Sequence, residues 1–177
     1  FAGSVVVEGS QITEVGAELT CPQGAEVVDL GGKWLMPGLF NCHTHMCLAP
    51  DADPKYDKND CQITMMALEN LKKFVDSGCT FIRDVGGMNY IDIDIRNEAK
   101  KGKLVAPDMQ VAGKCICMTG GHGWMMGREA DGVNDCRKAA REQLRAGADW
   151  IKVMGTGGVM TKGVEPGSPQ LNEDELR

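Results

Sequence analysis

Leu39-Phe40-Asn41-Cys42-His43 is a short apolar run that leads into Thr44-His45, and the pattern it begins decides the fold. Cys61 to Asp76 sets Ile63, Met66, Ala67, Leu71, Phe74 and Val75 at close to helical spacing and stops at Ser77-Gly78. Thr80-Phe81-Ile82-Arg83-Asp84-Val85 is strand-like and closes on Gly86-Gly87. A weaker helix over Ile91 to Lys101, ending at Gly102, is followed by a third strand over Met109 to Gly113. Val133 to Ala146 is a helix with Asp131 or Asn134 near its start and Gly147 just past its end. Trp150 to Met154 is a fourth strand, closing on Gly155-Thr156-Gly157-Gly158. Apolar strands alternating with helices specify an α/β fold, a parallel sheet covered by helices. Repeats of this size fit an open doubly wound sheet or a (β/α)8 barrel. A complete barrel takes about 250 residues, so if the fold is a barrel, residues 37–177 would be its first four βα units.

Before Pro37-Gly38 the character differs. Val5-Val6-Val7-Glu8 and Ile12-Thr13-Glu14-Val15 flank Gly9-Ser10-Gln11 as a hairpin. Val27 to Leu30 and Lys33 to Met36 flank Gly31-Gly32 as a second one. Residues 1–36 are therefore expected to form a small β unit, too thin to be a domain alone. At the other end, Asn172 with Glu175 three residues later is a capping-box pattern, with acidic residues in the first turn. A helix that starts there and has no body makes the chain read as a fragment.

The 177 residues carry 19 Lys and Arg against 25 Asp and Glu, a net charge of −6, which argues against a nucleic-acid partner. No apolar run approaches the roughly 18 residues of a membrane span, and a cytoplasmic location is expected. The eight cysteines sit mostly inside apolar runs without a CxxC pair, and are read as reduced.

His43-Thr44-His45 ends the first strand of the parallel sheet. Side chains two apart on a strand share a face, so both imidazoles can grip one cation, at the sheet end where such folds place their sites. Two solvated loop histidines are the alternative. Lys152 lies inside the apolar run Trp150 to Met154, where an unpaired ammonium is costly, unless the side chain reaches out past the strand end. His122, the third histidine, stands in the glycine-rich Thr119-Gly120-Gly121-His122-Gly123 after the third strand, where it faces the same mouth or makes a structural hydrogen bond. Arg83-Asp84 at the end of the second strand reads as a structural pair, with support of the site residues from behind as the alternative. Gly155-Thr156-Gly157-Gly158 lacks the Lys-Ser/Thr ending of a phosphate-binding loop, which excludes nucleotide binding.

Pro37-Gly38-Leu39-Phe40-Asn41-Cys42-His43-Thr44-His45 resembles the Pro-Gly-apolar-apolar-Asp-x-His-x-His signature of the amidohydrolase superfamily, with Asn41 in place of the usual Asp. Gly78 to Gly87 is similar to the family's second-strand segment. Thr119 to Gly123 and Gly147-Ala148-Asp149-Trp150-Ile151-Lys152-Val153 resemble segments of its imidazolonepropionase-like and prolidase-like branch. The leading hairpins are similar to the small β-sandwich that precedes the barrel in that family. The resemblance implies a metal-dependent hydrolase of amide or peptide C–N bonds, acting on a dipeptide, an N-acyl amino acid or a cyclic amide. It implies two divalent metal ions, zinc in the first instance, with His43 and His45 as ligands and Lys152 carboxylated by carbon dioxide to bridge them. His122 is implied as a substrate group. Two more histidines and an aspartate, from strands beyond residue 177, complete that ligand set. The remaining half of the barrel, in the same chain or a second one, is thus an expected partner, the piece alone is expected to be inactive, and a homo-oligomer is expected by analogy. The alternatives are a mononuclear deaminase of the same superfamily and a non-catalytic binding or assembly module.

Overall fold

The computed structural model describes residues 2–49 and 58–177, which divide into two compact units, Phe1–Pro37 and Gly38–Arg177. In the first, β1 (Ser4–Glu8) and β2 (Gln11–Gly16) pair antiparallel across Gly9-Ser10, with Val5 opposite Val15 and Glu8 opposite Gln11. Gly9 supplies the positive φ, +61°, that the tight connection needs. The second hairpin expected over residues 27–36 does not form. Only its turn is present: the Gly31 amide donates to Asp29 Oδ1 at 2.8 Å and the Lys33 amide to the Leu30 carbonyl at 3.1 Å. Its arms stay unpaired, and Val27, Val28 and Trp34 are exposed, Trp34 to 91%. A lone ribbon with no covering layer buries too little apolar surface to hold its ladder.

The second unit is built on a three-stranded parallel sheet in the order β3 (Leu39–Thr44), β4 (Cys79–Asp84), β5 (Asp108–Gln110). Helices α1 (Asp60–Asp76) and α2 (Ile91–Lys100) make the two crossovers. Helix α1 starts at Asn59, whose side chain accepts the Gln62 amide in a reciprocal capping box, and buries Ile63, Ala67 and Leu71 one turn apart. Those side chains meet Ile82 of β4 and Met46 and Cys47 after β3 in the main core. Full burial of one such aliphatic side chain is worth about 1.5–3 kcal/mol.

The third and fourth strands are shorter than their apolar runs. β5 ends at Gln110, after which Val111 and Ala112 are buried without a ladder and Gly113 turns through φ +69°. The run Trp150–Met154 forms no regular strand. It lies parallel to the chain after β5 and touches it in three places: Asp149 amide to Val111 carbonyl at 2.9 Å, Ile116 amide to Lys152 carbonyl at 2.8 Å, and Met154 amide to Ile116 carbonyl at 2.8 Å. The excursion at Gly113 interrupts the ladder between the first contact and the other two. Two short strands, β6 (Ile116–Cys117) and β7 (Arg128–Glu129), pair parallel on either side of the glycine-rich Thr119-Gly120-Gly121-His122-Gly123.

Helix α3 (Val133–Ala146) ends as expected at Gly147, in the left-handed conformation at φ +101°. Its start differs. Gly132 occupies the cap, with no side-chain hydrogen bond. Asp131 instead accepts the Thr119 amide and hydroxyl, and the Gly132 amide donates to Glu175 Oε1 at 2.7 Å. Glu175 belongs to α4 (Glu173–Leu176), which begins at Asn172 with the reciprocal capping box that its sequence specifies. All eight cysteines are free, and no helix among the described residues is long and apolar enough to cross a membrane.

Candidate functional site

The ends of β3 and β4 set the first two site residues. The Asn41 side chain accepts the His43 amide at 3.1 Å, a local turn that fixes the backbone entering the His43-Thr44-His45 segment. Asn41, the departure from the usual signature, therefore takes a backbone-holding role. His43 is exposed and His45 half-buried, and their rings stand 5.8 Å apart at 63°. His45 Nδ1 lies 3.0 Å from the Gly86 carbonyl, at the exit of β4. A carbonyl only accepts, so Nδ1 carries the proton and the Nε2 lone pair is free. Burial is the main cause that holds His45 below the ordinary histidine range. The hydrogen bond to Gly86 opposes it, and the charges of His43, Lys152 and His122 reinforce it. A neutral imidazole with its Nδ1 proton engaged is the form that ligates a metal.

Asp84 holds this arrangement from behind. It is fully buried, and its two oxygens accept the Met46 amide at 2.6 Å and the Gly86 amide at 3.1 Å. One carboxylate thus grips the residue that follows His45 and the residue whose carbonyl receives the His45 proton. Burial pushes Asp84 up to about 8, with the charge of Asp92 adding to it and the two amides opposing. Asp92, also fully buried, accepts the Gly113 amide at 2.8 Å and leaves Oδ1 without a partner. The expected Arg83-Asp84 pair does not exist. Adjacent strand residues point to opposite faces, and the Arg83 guanidinium lies over the Trp150 ring, 5.3 Å from its centroid.

Lys152 is half-buried in the segment beside Ile116, and among the described residues no carboxylate pairs with it. Its charge acts on His45, His122 and Cys115, which brings the three histidines and the lysine into one electrostatic neighbourhood. The Asp149 carboxylate anchors the start of that segment, accepting the Val111 amide at 3.0 Å and pairing with the buried Arg96 guanidinium at 2.5 Å. Burial pushes the Cys115 thiol up to about 11 despite the lysine, so it is no nucleophile at neutral pH.

His122 is held entirely by the segment after Lys152. Its amide donates to Gln170 Oε1 at 2.8 Å, and its Nδ1 lies 3.0 Å from Thr161 Oγ1. A Cβ on Gly158 would come within 2.5 Å of Nε2, so only glycine leaves that edge of the ring clear. Burial and the Lys152 charge hold His122 below the ordinary range. Nothing in the sequence marks Thr161 or Gln170, which lie in irregular backbone without periodicity, and Gly158 is marked only as part of the glycine turn after Trp150–Met154.

Among the described residues, no three of His, Cys, Asp and Glu converge to hold a metal ion. The donors present are two imidazoles, one with its Nε2 lone pair free, and a lysine whose charge reaches His45. That set fits a cation only in part.

Residues 34–177 match the family model described as "Amidohydrolase family". The chain belongs to the amidohydrolase family. It is 29% identical over 174 residues to an ochratoxinase of Aspergillus niger, a match covering 81% of this chain and 35% of that protein. It is 25% identical over 154 residues to an imidazolonepropionase of an Arthrobacter species, covering 75% of this chain and 37% of the relative. The crystal structure of a Xaa-Pro dipeptidase with methionine bound in its active site superposes with a TM-score of 0.88 at 26% identity, covering 98% of this chain and 47% of that one. The chain thus spans between a third and a half of the length of these relatives. Its α/β fold is that of the matching part of the amidohydrolase structures.

Proposed function

We propose that this chain contributes half of a binuclear metal centre to a hydrolase of amide-type C–N bonds. In this reading residues 37–177 are the first four βα units of a (β/α)8 barrel, and residues 1–36 are part of a small β-sandwich. The observation that carries it is the His43–His45 pair, in which the Gly86 carbonyl holds one imidazole neutral with Nε2 free. Family membership and the ochratoxinase and dipeptidase relatives support the reaction class.

His43 and His45 would hold one divalent cation, zinc in the first instance. A metal held there would supply polarisation of the scissile carbonyl and a bound water of lowered pKa. Lys152 as an ammonium is the wrong charge beside such an ion, and its field already disfavours protonation of both neighbouring histidines. Attack of its free amine on carbon dioxide forms an N–C bond and releases one proton. The resulting carbamate carries anionic oxygens that suit a bridge to a second cation. The chain's remaining tasks are positional. Asp84 fixes the backbone on both sides of the His45 hydrogen bond, Asp149 anchors the Lys152 segment, and His122 meets an oxygen of the substrate. The substrate class is a dipeptide, an N-acyl amino acid or a cyclic amide. The second cation's other ligands come from the remaining half of the barrel.

The test is metal content and hydrolysis together, in the full-length protein that carries this chain. Two cations per site and chelator-sensitive release of an amino acid from dipeptides or N-acyl amino acids are expected. One cation on His43 and His45, an unmodified Lys152 and release of ammonia would instead identify a deaminase.

A further inference from the structure

Thr161 is 6% exposed, and its hydroxyl oxygen has two neighbours: the Gly123 amide nitrogen at 3.1 Å and His122 Nδ1 at 3.0 Å. An amide N–H can only donate, so Gly123 occupies one lone pair of Oγ1. The hydroxyl hydrogen then needs an acceptor, because a buried donor left unpaired is costly. Among the described residues, His122 Nδ1 is the only acceptor in reach. The hydroxyl therefore donates to Nδ1. A neutral imidazole whose Nδ1 accepts carries its own proton on Nε2.

Resting on the reading of His122 as a substrate group, we propose that Thr161 is a positioning residue that sets His122 in the Nε2–H tautomer and makes it a hydrogen-bond donor to a substrate oxygen. The contrast with His45 gives the assignment its meaning. The Gly86 carbonyl compels a proton on His45 Nδ1 and frees its Nε2 lone pair. The Thr161 hydroxyl does the reverse, and removes His122 from the set of available metal ligands. One histidine is prepared to ligate and the other to donate. Two further contacts hold the donor in place. Gln170 accepts the His122 amide, and Gly158 keeps the Nε2 edge free of side chain. Both lie, like Thr161, on the segment that follows Lys152, so the order of that segment controls the His122 proton.

The test is nitrogen-15 NMR of the imidazole rings in the full-length protein. The His122 ring is expected as the Nε2–H tautomer. Thr161→Val is expected to shift it to Nδ1–H or to a mixture, and Thr161→Ser, which keeps the hydroxyl, to leave it unchanged. His122 found as Nδ1–H in the parent would overturn the proposal without any variant having to fold. So would an unaltered tautomer in Thr161→Val. The underlying reading is tested separately by L-methionine titration of His122→Asn. Binding about tenfold weaker is expected for one lost hydrogen bond. Unchanged binding, with the parent tautomer as assigned, would remove His122 from the substrate site and leave the role of Thr161 in setting the ring intact.

Discussion

Asp84 and His45 are joined through a single residue: the Asp84 carboxylate accepts the Gly86 amide at 3.1 Å, and the Gly86 carbonyl receives His45 Nδ1 at 3.0 Å. The other carboxylate oxygen takes the Met46 amide, so the imidazole is fixed from both its backbone and its ring. Supporting partners of this kind typically change metal affinity by about 10–100-fold when removed. Asp84→Ala is expected to weaken zinc binding by that factor. Asp84→Asn, which keeps one acceptor oxygen, is expected to fall between it and the parent. Metal titration of the three proteins measures this, and equal affinities would dismiss the linkage.

The same carboxyl makes stability depend on pH. Its folded value lies near 8, above the ordinary 3.8, because burial and the neighbouring Asp92 disfavour the charged form, while the Met46 and Gly86 amides oppose. The folded state therefore binds the proton more tightly than the unfolded one. That stabilisation is fully present below about pH 4 and is lost as pH rises through about 8, with a slope of at most about 1.4 kcal/mol per unit. Urea midpoints measured across this range should fall with pH more steeply in the parent than in Asp84→Asn. Parallel profiles would contradict the assignment.

Gly158→Ala tests the space beside His122. The added Cβ would stand 2.5 Å from Nε2, so the ring must move. A displacement of about 1 Å at a substrate-positioning group can cost about 10²-fold in rate. A loss approaching that size in kcat/KM, with the thermal midpoint little changed, is expected. Full activity in the variant would show that the ring's position does not matter.

Asp149→Ala should be a stability variant. It takes the carboxylate from the buried Arg96 guanidinium, which keeps Asn97 Oδ1, and leaves the Val111 amide without its acceptor. Because the Asp149 side chain is 27% exposed and Arg96 keeps its contact to Asn97, the cost is about 1–3 kcal/mol, that of the lost hydrogen bonds. Denaturant unfolding measures it, and a change under about 1 kcal/mol would show that Arg96 finds other partners.

The helices and the first two parallel strands are legible in the chain because their apolar spacing and glycine stops agree. Helix α3 ends where Gly147 says it must. The later strands are harder, because continuous apolar runs at 109–113 and 150–154 do not reveal that Gly113 turns the backbone out of the ladder. The second hairpin fails for a different reason: its glycine turn forms, but Val27, Val28 and Trp34 stay exposed.

At the site, the spacing of His43 and His45 is enough to place them together. Of the two readings of Arg83-Asp84, the pair fails because strand neighbours face opposite ways, and the supporting role holds for Asp84. A carboxylate at the end of an apolar strand is a signal of a special role, since burying one is costly. Thr161 and Gln170 give no such signal. They reach His122 from 39 and 48 residues away, out of backbone with no repeating pattern.

The central claim is that His43, His45 and a carboxylated Lys152 bind divalent cations. Anomalous scattering at the zinc edge, from crystals of the full-length protein grown with zinc and bicarbonate, tests it most directly. The account predicts peaks beside the two imidazoles and continuous carboxylate density on Lys152 Nζ. Zinc bound elsewhere, with both imidazoles free and a bare Lys152 amine, would contradict it.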